Sequence, residues 1–295
     1  MNNYPSFAIV LSFLGLWLTS FFPEDIQVGF GFVLILSFGI LHGANDILIS
    51  KSLTNDRKQF TTLKIIYLYV LVVLLGVVFF YFLPTVVLLL FVIISGYHFG
   101  EQQLDYMDEF KTYDLIFKTL YGLLVLFLLF GFHINEVVVV VYEITSVKIK
   151  DTLILYSLYV ILFLFVANYI FIYINSKTNK NIILIELFYL LVFAIIFKVS
   201  SLIWGFTIYF IIWHSIPSLI NQTKFLYGSF NYINFIKYIK AAIFYWIISL
   251  SGLYFFYLFF QNMKIFNTLF FSFLTAITFP HVFVILKMLK GKSEQ

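Results

Sequence analysis

Apolar residues run along this chain in blocks long enough to cross a membrane, and the polar positions fall mainly between those blocks. A spanning helix needs about 20 predominantly apolar residues. Turn residues and charges divide the chain into about ten such spans, at 6–22, 27–50, 64–83, 84–103, 114–132, 152–174, 182–199, 201–222, 239–260 and 265–289. Two of the cuts fall inside continuous apolar runs, at Leu83-Pro84 and Ser200-Ser201. Pro84 favours the first, because proline is tolerated in the first turn of a helix. The expected fold class is all-α, a polytopic transmembrane helical bundle, with residues 1–295 as a single integral membrane domain.

Composition agrees with that reading. With 62% hydrophobic residues, 11% charged and a mean hydropathy of +1.02, the chain has too little polar surface to be a soluble protein. The first stretch, Phe7 to Phe22, lacks the basic start and small-residue cleavage site of a signal peptide, so it reads as a retained helix. Alternating the loops across the membrane puts Lys51, Arg57, Lys58, Lys64, Lys111, Lys118, Lys177, Lys180, Lys224, Lys237, Lys240, Lys287, Lys290 and Lys292 inside. Only Lys148, Lys150, Lys198 and Lys264 fall outside, as the positive-inside rule requires, and both termini are expected to be cytoplasmic. The expected location is the inner (plasma) membrane of a prokaryotic cell. A net charge of +4, scattered over helix ends, gives no basic stripe for nucleic acid. The chain has no cysteine, which excludes disulfides, thiolate ligands, iron–sulfur clusters and a cysteine nucleophile.

Four of the five histidines change the picture from packing to chemistry. His42, His98, His214 and His281 lie on spans two, four, eight and ten, which all descend toward the cytoplasm, and each sits in the later half of its span. At 1.5 Å per residue, His42 is roughly 13 Å before Lys51, His214 roughly 15 Å before Lys224 and His281 roughly 9 Å before Lys287. His98 precedes the polar run Glu101-Gln102-Gln103. Ionisable groups in lipid are costly unless they face a packed interior with partners, so one shared depth suggests one shared metal. Any one of the four, taken alone, reads equally as a hydrogen-bonded buried histidine. Two bis-histidine haems would place ligand pairs at two depths, and a proton or metal pathway would spread polar groups along the membrane normal. His133, beside Asn135 and Glu136 at the outer end of span five, reads as an interfacial histidine.

Carboxylates accompany two of the four. Asp46 is four residues after His42 and Glu101 three after His98, spacings that place each on its histidine's helix face. A ligating imidazole donates its second N–H to such a group, although either could equally be an interfacial charge. Gly43, Ala44, Gly96 and Gly100 permit close helix approach. Pro217 and Pro280 stand beside His214 and His281, where proline breaks a helix and re-aims a side chain.

These residues carry a family resemblance. His-Gly-Ala-Asn-Asp at 42–46, Tyr-His-Phe-Gly-Glu at 97–101, Trp-His-Ser-Ile-Pro at 213–217 and Pro-His at 280–281 resemble the Brp/Blh family of membrane β-carotene 15,15′-dioxygenases, in order and over nearly the whole chain. The resemblance implies cleavage of β-carotene at its central double bond by O₂, giving two retinal molecules, with Fe(II) as cofactor and the bilayer as surroundings. Some members carry a second histidine four residues after the Trp-His histidine, where this chain has Ser218, so His281 becomes the candidate fourth ligand.

The residue types suit that chemistry. Four neutral imidazoles hold Fe(II) and leave up to two positions for O₂ or water. An aromatic content of 22% could line a dry channel for a rigid polyene, although such residues are also ordinary membrane packing. β-Carotene is about as long as the hydrocarbon core is thick, so a centre off the midplane implies a tilted substrate entering sideways from lipid. A retinal-binding pump would need a mid-membrane lysine, and every lysine here lies at a span end or in a loop. A di-iron desaturase clusters more than five histidines. A carotenoid- or retinoid-binding or transport protein without catalysis is the leading alternative, and it would not require four histidines in one layer.

Overall fold

The computed structural model describes residues 4–53, 59–105, 114–175, 180–259 and 263–293. Every regular element among them is helical. In order they are α1 (Tyr4–Thr19), α2 (Glu24–Gly43), α3 (Asp46–Leu53), α4 (Gln59–Phe82), α5 (Pro84–Gln103), α6 (Asp114–Phe132), α7 (Ile134–Thr145), α8 (Asp151–Asn175), α9 (Lys180–Val199) and α10 (Leu202–Ile208). A π-helix (Tyr209–Ser215), α11 (Ile216–Tyr227), α12 (Tyr232–Phe259) and α13 (Met263–Ser293) complete the chain.

Among the described residues, 8 stretches are long and apolar enough to cross a membrane, and they coincide with eight of the expected spans. The other two expected spans are helices outside that set: α1, a shorter apolar helix of 16 residues, and α9. Both expected cuts are present, with Leu83 between α4 and α5 and Ser200-Ser201 between α9 and α10. Of the basic residues used to orient the chain, Arg57, Lys58, Lys111 and Lys177 lie outside the described residues. The stretch Leu202–Tyr227 is the most enclosed of the eight, 67% buried, whereas those on α4, α8 and α12 are 11% buried. The stretch carrying His214 is therefore largely enclosed by protein, and those three leave most of their apolar surface exposed.

Three details of the helix course depart from the expectations. The span at 27–50 is interrupted: α2 ends at Gly43, one residue after His42, and α3 restarts at Asp46. The span at 201–222 widens into a π-turn that ends at Ser215, so the irregularity precedes Pro217, which sits in the first turn of α11 and does not break that helix. Pro280 does not break α13, which continues through it to Ser293.

The chain groups into two compact units. One comprises Met1–Ile35, Ser95–Tyr142 and Lys148–His214. Within it α6 packs on α8, α9 and α10, and α9 on α1 and α10. The approach of α5 to α6 is backbone on backbone: a Cβ at Gly122 would lie 1.8 Å from the Gly96 carbonyl oxygen, and one at Gly100 would lie 1.8 Å from that of Lys118. Glycines four apart on one helix face are what permit such contact between membrane helices. His98, two residues from each glycine, therefore points to the opposite side of α5.

The other unit comprises Leu36–Ile94, Glu143–Val147 and Ser215–Gln295. Here α13 packs on α3 and α4, α3 on α4, and α11 on α3 and α12. Ile49 of α3 and Val284, Ile285 and Met288 of α13 form a buried apolar cluster. One turn before Pro280, α13 touches α4, where a Cβ at Gly76 would meet the Cα of Ala276 at 3.3 Å.

Candidate functional site

In the first unit the backbone contact of α5 with α6 sets His98, and the π-turn sets His214. Their rings meet edge to face with centroids 4.7 Å apart. Both are buried. Phe99 approaches His214 at 4.7 Å and Phe210 stacks on it at 5.5 Å, while Tyr209 closes against Phe99 at 5.5 Å. This aromatic shell keeps water from the two imidazoles. A π-turn carries one extra residue within a helix and is frequent at functional sites because it turns a side chain out of the regular 3.6-residue register. His214 is on such a turn.

In the second unit His42 and His281 make the same kind of pair, edge to face at 4.7 Å. Nδ1 of His281 lies 2.8 Å and 3.0 Å from the two carboxylate oxygens of Asp46. The Tyr69 hydroxyl donates to Asp46 Oδ2 at 2.9 Å. Because a carboxylate accepts, Nδ1 of His281 carries the proton and Nε2 carries the lone pair. Nδ1 of His42 lies 3.3 Å from the Phe38 carbonyl, again an acceptor, so its lone pair also belongs to Nε2.

The interruption of α2 explains why Asp46 serves His281 rather than His42, the partner that helical spacing suggested. Four residues bring two side chains to one face only if the helix is continuous. Here Ala44 and Asn45 form a turn, and Asp46 opens a new helix directed at α13. The carbonyls exposed at the broken end are taken up by α11 and α12. Gln222 Nε2 donates to the His42 carbonyl at 2.8 Å and to Ser218 Oγ at 2.9 Å. The Tyr238 hydroxyl donates to Gln222 Oε1 at 2.8 Å, and Asn45 Nδ2 donates to the Tyr238 carbonyl at 3.1 Å. Ser218, the departure from the family pattern, is thus part of the network behind His42.

Glu101 accepts from the Tyr97 hydroxyl at 2.9 Å, one turn back on α5. His133 is engaged in structural contacts, with Nε2 2.8 Å from the Phe197 carbonyl and Nδ1 3.2 Å from Glu136. Tyr69, Gln222 and Tyr238 were not foreseen from the sequence. Gln222 left a signal there, as a polar residue in the Asn221-Gln222-Thr223 run within an apolar segment. Tyr69 left none among 21 tyrosines.

Chemically, each unit brings together two buried imidazoles, His98 with His214 and His42 with His281, side chains of the kind that ligate a metal ion. Helices of spanning length that carry buried imidazoles give the chain the character of a multi-helix membrane protein. A family model described as beta-carotene 15,15′-dioxygenase matches residues 33–289, most of the chain. The protein belongs to this family. No curated protein and no solved structure matches it.

Proposed function

We propose that this protein is a β-carotene 15,15′-dioxygenase, cleaving the central double bond of β-carotene with O₂ to give two retinal molecules at an Fe(II) held by His42, His98, His214 and His281. The observation that carries the reading is the buried pairing of imidazoles within each unit, His98 with His214 and His42 with His281, in a chain of this family. His281 joins them in this proposal because its Nδ1 is held by Asp46, the carboxylate–histidine arrangement that aims Nε2 at a metal and raises its basicity. The donor set fits ferrous iron: imidazole suits it, and four neutral ligands add no charge to the site. Bound iron supplies the electron transfer that lets O₂ add to an alkene. The protein's own residues hold their Nε2 atoms in place, exclude water with Phe99 and Phe210, and keep the site apolar. One O₂ and one C=C bond become two C=O bonds, so no proton is consumed and no acid or base is required. The substrate reaches the site sideways from lipid in a tilted pose. The protein sits in the inner membrane, with Asp46 and Glu101 supporting the histidines.

The test is expression in a bacterium that makes β-carotene, followed by pigment and retinal analysis. Loss of colour with about two retinals per β-carotene consumed is expected. Pigment that is bound but unchanged would instead establish a carotenoid-binding protein without catalysis. The purified protein should carry about one iron per chain without a haem Soret band. Alanine at any of the four histidines should lower bound iron and abolish turnover, whereas His133→Ala should do neither.

A further inference from the structure

Helix α1 precedes the stretch matched by the family model, which begins at residue 33, and the proposed site contains none of its residues. Its two faces nevertheless differ sharply. Phe7, Val10, Leu14 and Trp17 are exposed, while Ala8 and Ser12 are completely buried. Tyr4, Ala8, Ser12 and Gly15 are spaced four, four and three apart and so make one stripe. From that stripe come contacts to a single short segment of the same unit. The Tyr4 hydroxyl donates to the Ile212 carbonyl. Trp213 Nε1 donates to Ser12 Oγ at 2.9 Å, and Trp204 Nε1 donates to the Gly15 carbonyl at 3.2 Å. Gly15 also leaves room for Ile208, whose Cδ1 would lie 3.3 Å from a Cβ at that position.

The receiving segment is where the helix departs from α geometry, and there its backbone is short of donors. In a π-turn the carbonyl of residue i pairs with the N–H of residue i+5. For Ile212 that residue is Pro217, which has no N–H. The Tyr4 hydroxyl meets the carbonyl that Pro217 leaves open. The next side chain, Trp213, is tied to Ser12, and the next after it is His214.

We propose that α1 is a brace for the π-turn, with Tyr4 and Ser12 as positioning residues that hold the turn, and through it the His214 imidazole, in its functional register. The brace itself stands on these contacts; its effect on metal binding rests on the reading of His214 as a ligand.

The full-length protein in lipid nanodiscs tests both separately, using Tyr4→Phe, Ser12→Ala and the double variant. Tyr4→Phe removes one hydroxyl, and Ser12→Ala leaves the Trp213 N–H without its acceptor. Amide hydrogen exchange of residues 209–215, followed without metal, is expected to quicken at least 10-fold in the double variant, with α8 and α12 unchanged. Affinity for Co(II), read from its visible absorption, should fall roughly 10- to 100-fold, in the range for supporting partners of ligands. With β-carotene, kcat should fall and KM stay within about 2-fold, and Ser12→Thr, which keeps the hydroxyl, should recover part of the loss. Unchanged exchange over 209–215 in the double variant overturns the brace. Accelerated exchange with unchanged Co(II) affinity overturns its proposed action on His214. If the unaltered protein bound no Co(II), the metal reading would fail while the exchange result still decided the brace.

Discussion

Asp46 shows how much rests on single atoms. It accepts from both Tyr69 and His281 in a buried setting, so its charge is spread over two donors on helices α4 and α13. Asp46→Asn keeps the shape but presents an amide where the Nδ1–H of His281 needs an acceptor, and in one rotamer sets donor against donor. Metal affinity is expected to fall roughly 10- to 100-fold, measured by titration with Fe(II) or Co(II). Tyr69→Phe removes one of two donors and should have a smaller effect in the same titration. Equal affinity in the unaltered protein and Asp46→Asn would show that Asp46 does not support a ligand. Gln222 acts through the backbone instead. Gln222→Leu leaves the His42 carbonyl buried without this donor, a loss of about 1–3 kcal/mol, checked by thermal unfolding in detergent.

At the level of elements, the α5–α6 contact is the most exacting feature. A methyl group at Gly100 or Gly122 would stand 1.8 Å from a backbone oxygen, and backbone cannot rotate aside as a side chain can. Overpacking typically costs 1–3 kcal/mol, and this case belongs at or beyond the upper end. Gly122→Ala should therefore lower the midpoint of thermal unfolding markedly and spread α5 from α6, displacing His98. Gly252 on α12 is the control, because nothing lies within 4 Å of its added Cβ. Gly252→Ala should be neutral or stabilise by roughly 0.4–1 kcal/mol, since alanine restricts the unfolded chain more than glycine does. Matching losses in the two variants would show that close helix approach is not what the α5 glycines provide.

On the scale of the whole molecule, the distribution of lysines and arginines leads to a topology that can be read out cleanly, because the chain has no cysteine of its own. If both termini are cytoplasmic, as that distribution predicts, a single cysteine replacing Lys148, between α7 and α8, should react with a membrane-impermeant maleimide in intact cells from which any outer membrane has been removed. One replacing Lys292 near the end of α13 should react only after the inner membrane is opened. Labelling of both from the same side would refute the ten-span arrangement, since an odd number of crossings would then be missing or added between them.

Hydropathy is a local property, and so eight stretches of spanning length and the punctuation at Pro84 and Ser200 were legible from residue order. The family was legible for the same reason, through short motifs that keep their residues adjacent. What residue order did not contain was who meets whom. Asp46 and His281 are 235 positions apart, and the spacing rule that assigned Asp46 to His42 assumed an unbroken helix. Whether a helix stays unbroken depends on who receives its carbonyls. At His42 the donor is Gln222, itself held by Tyr238, and at the π-turn it is Tyr4, all supplied by distant parts of the chain. In an apolar surrounding every open backbone group must find such a partner, so the tertiary fold, and not local propensity, decides where helices break and which way the histidines point.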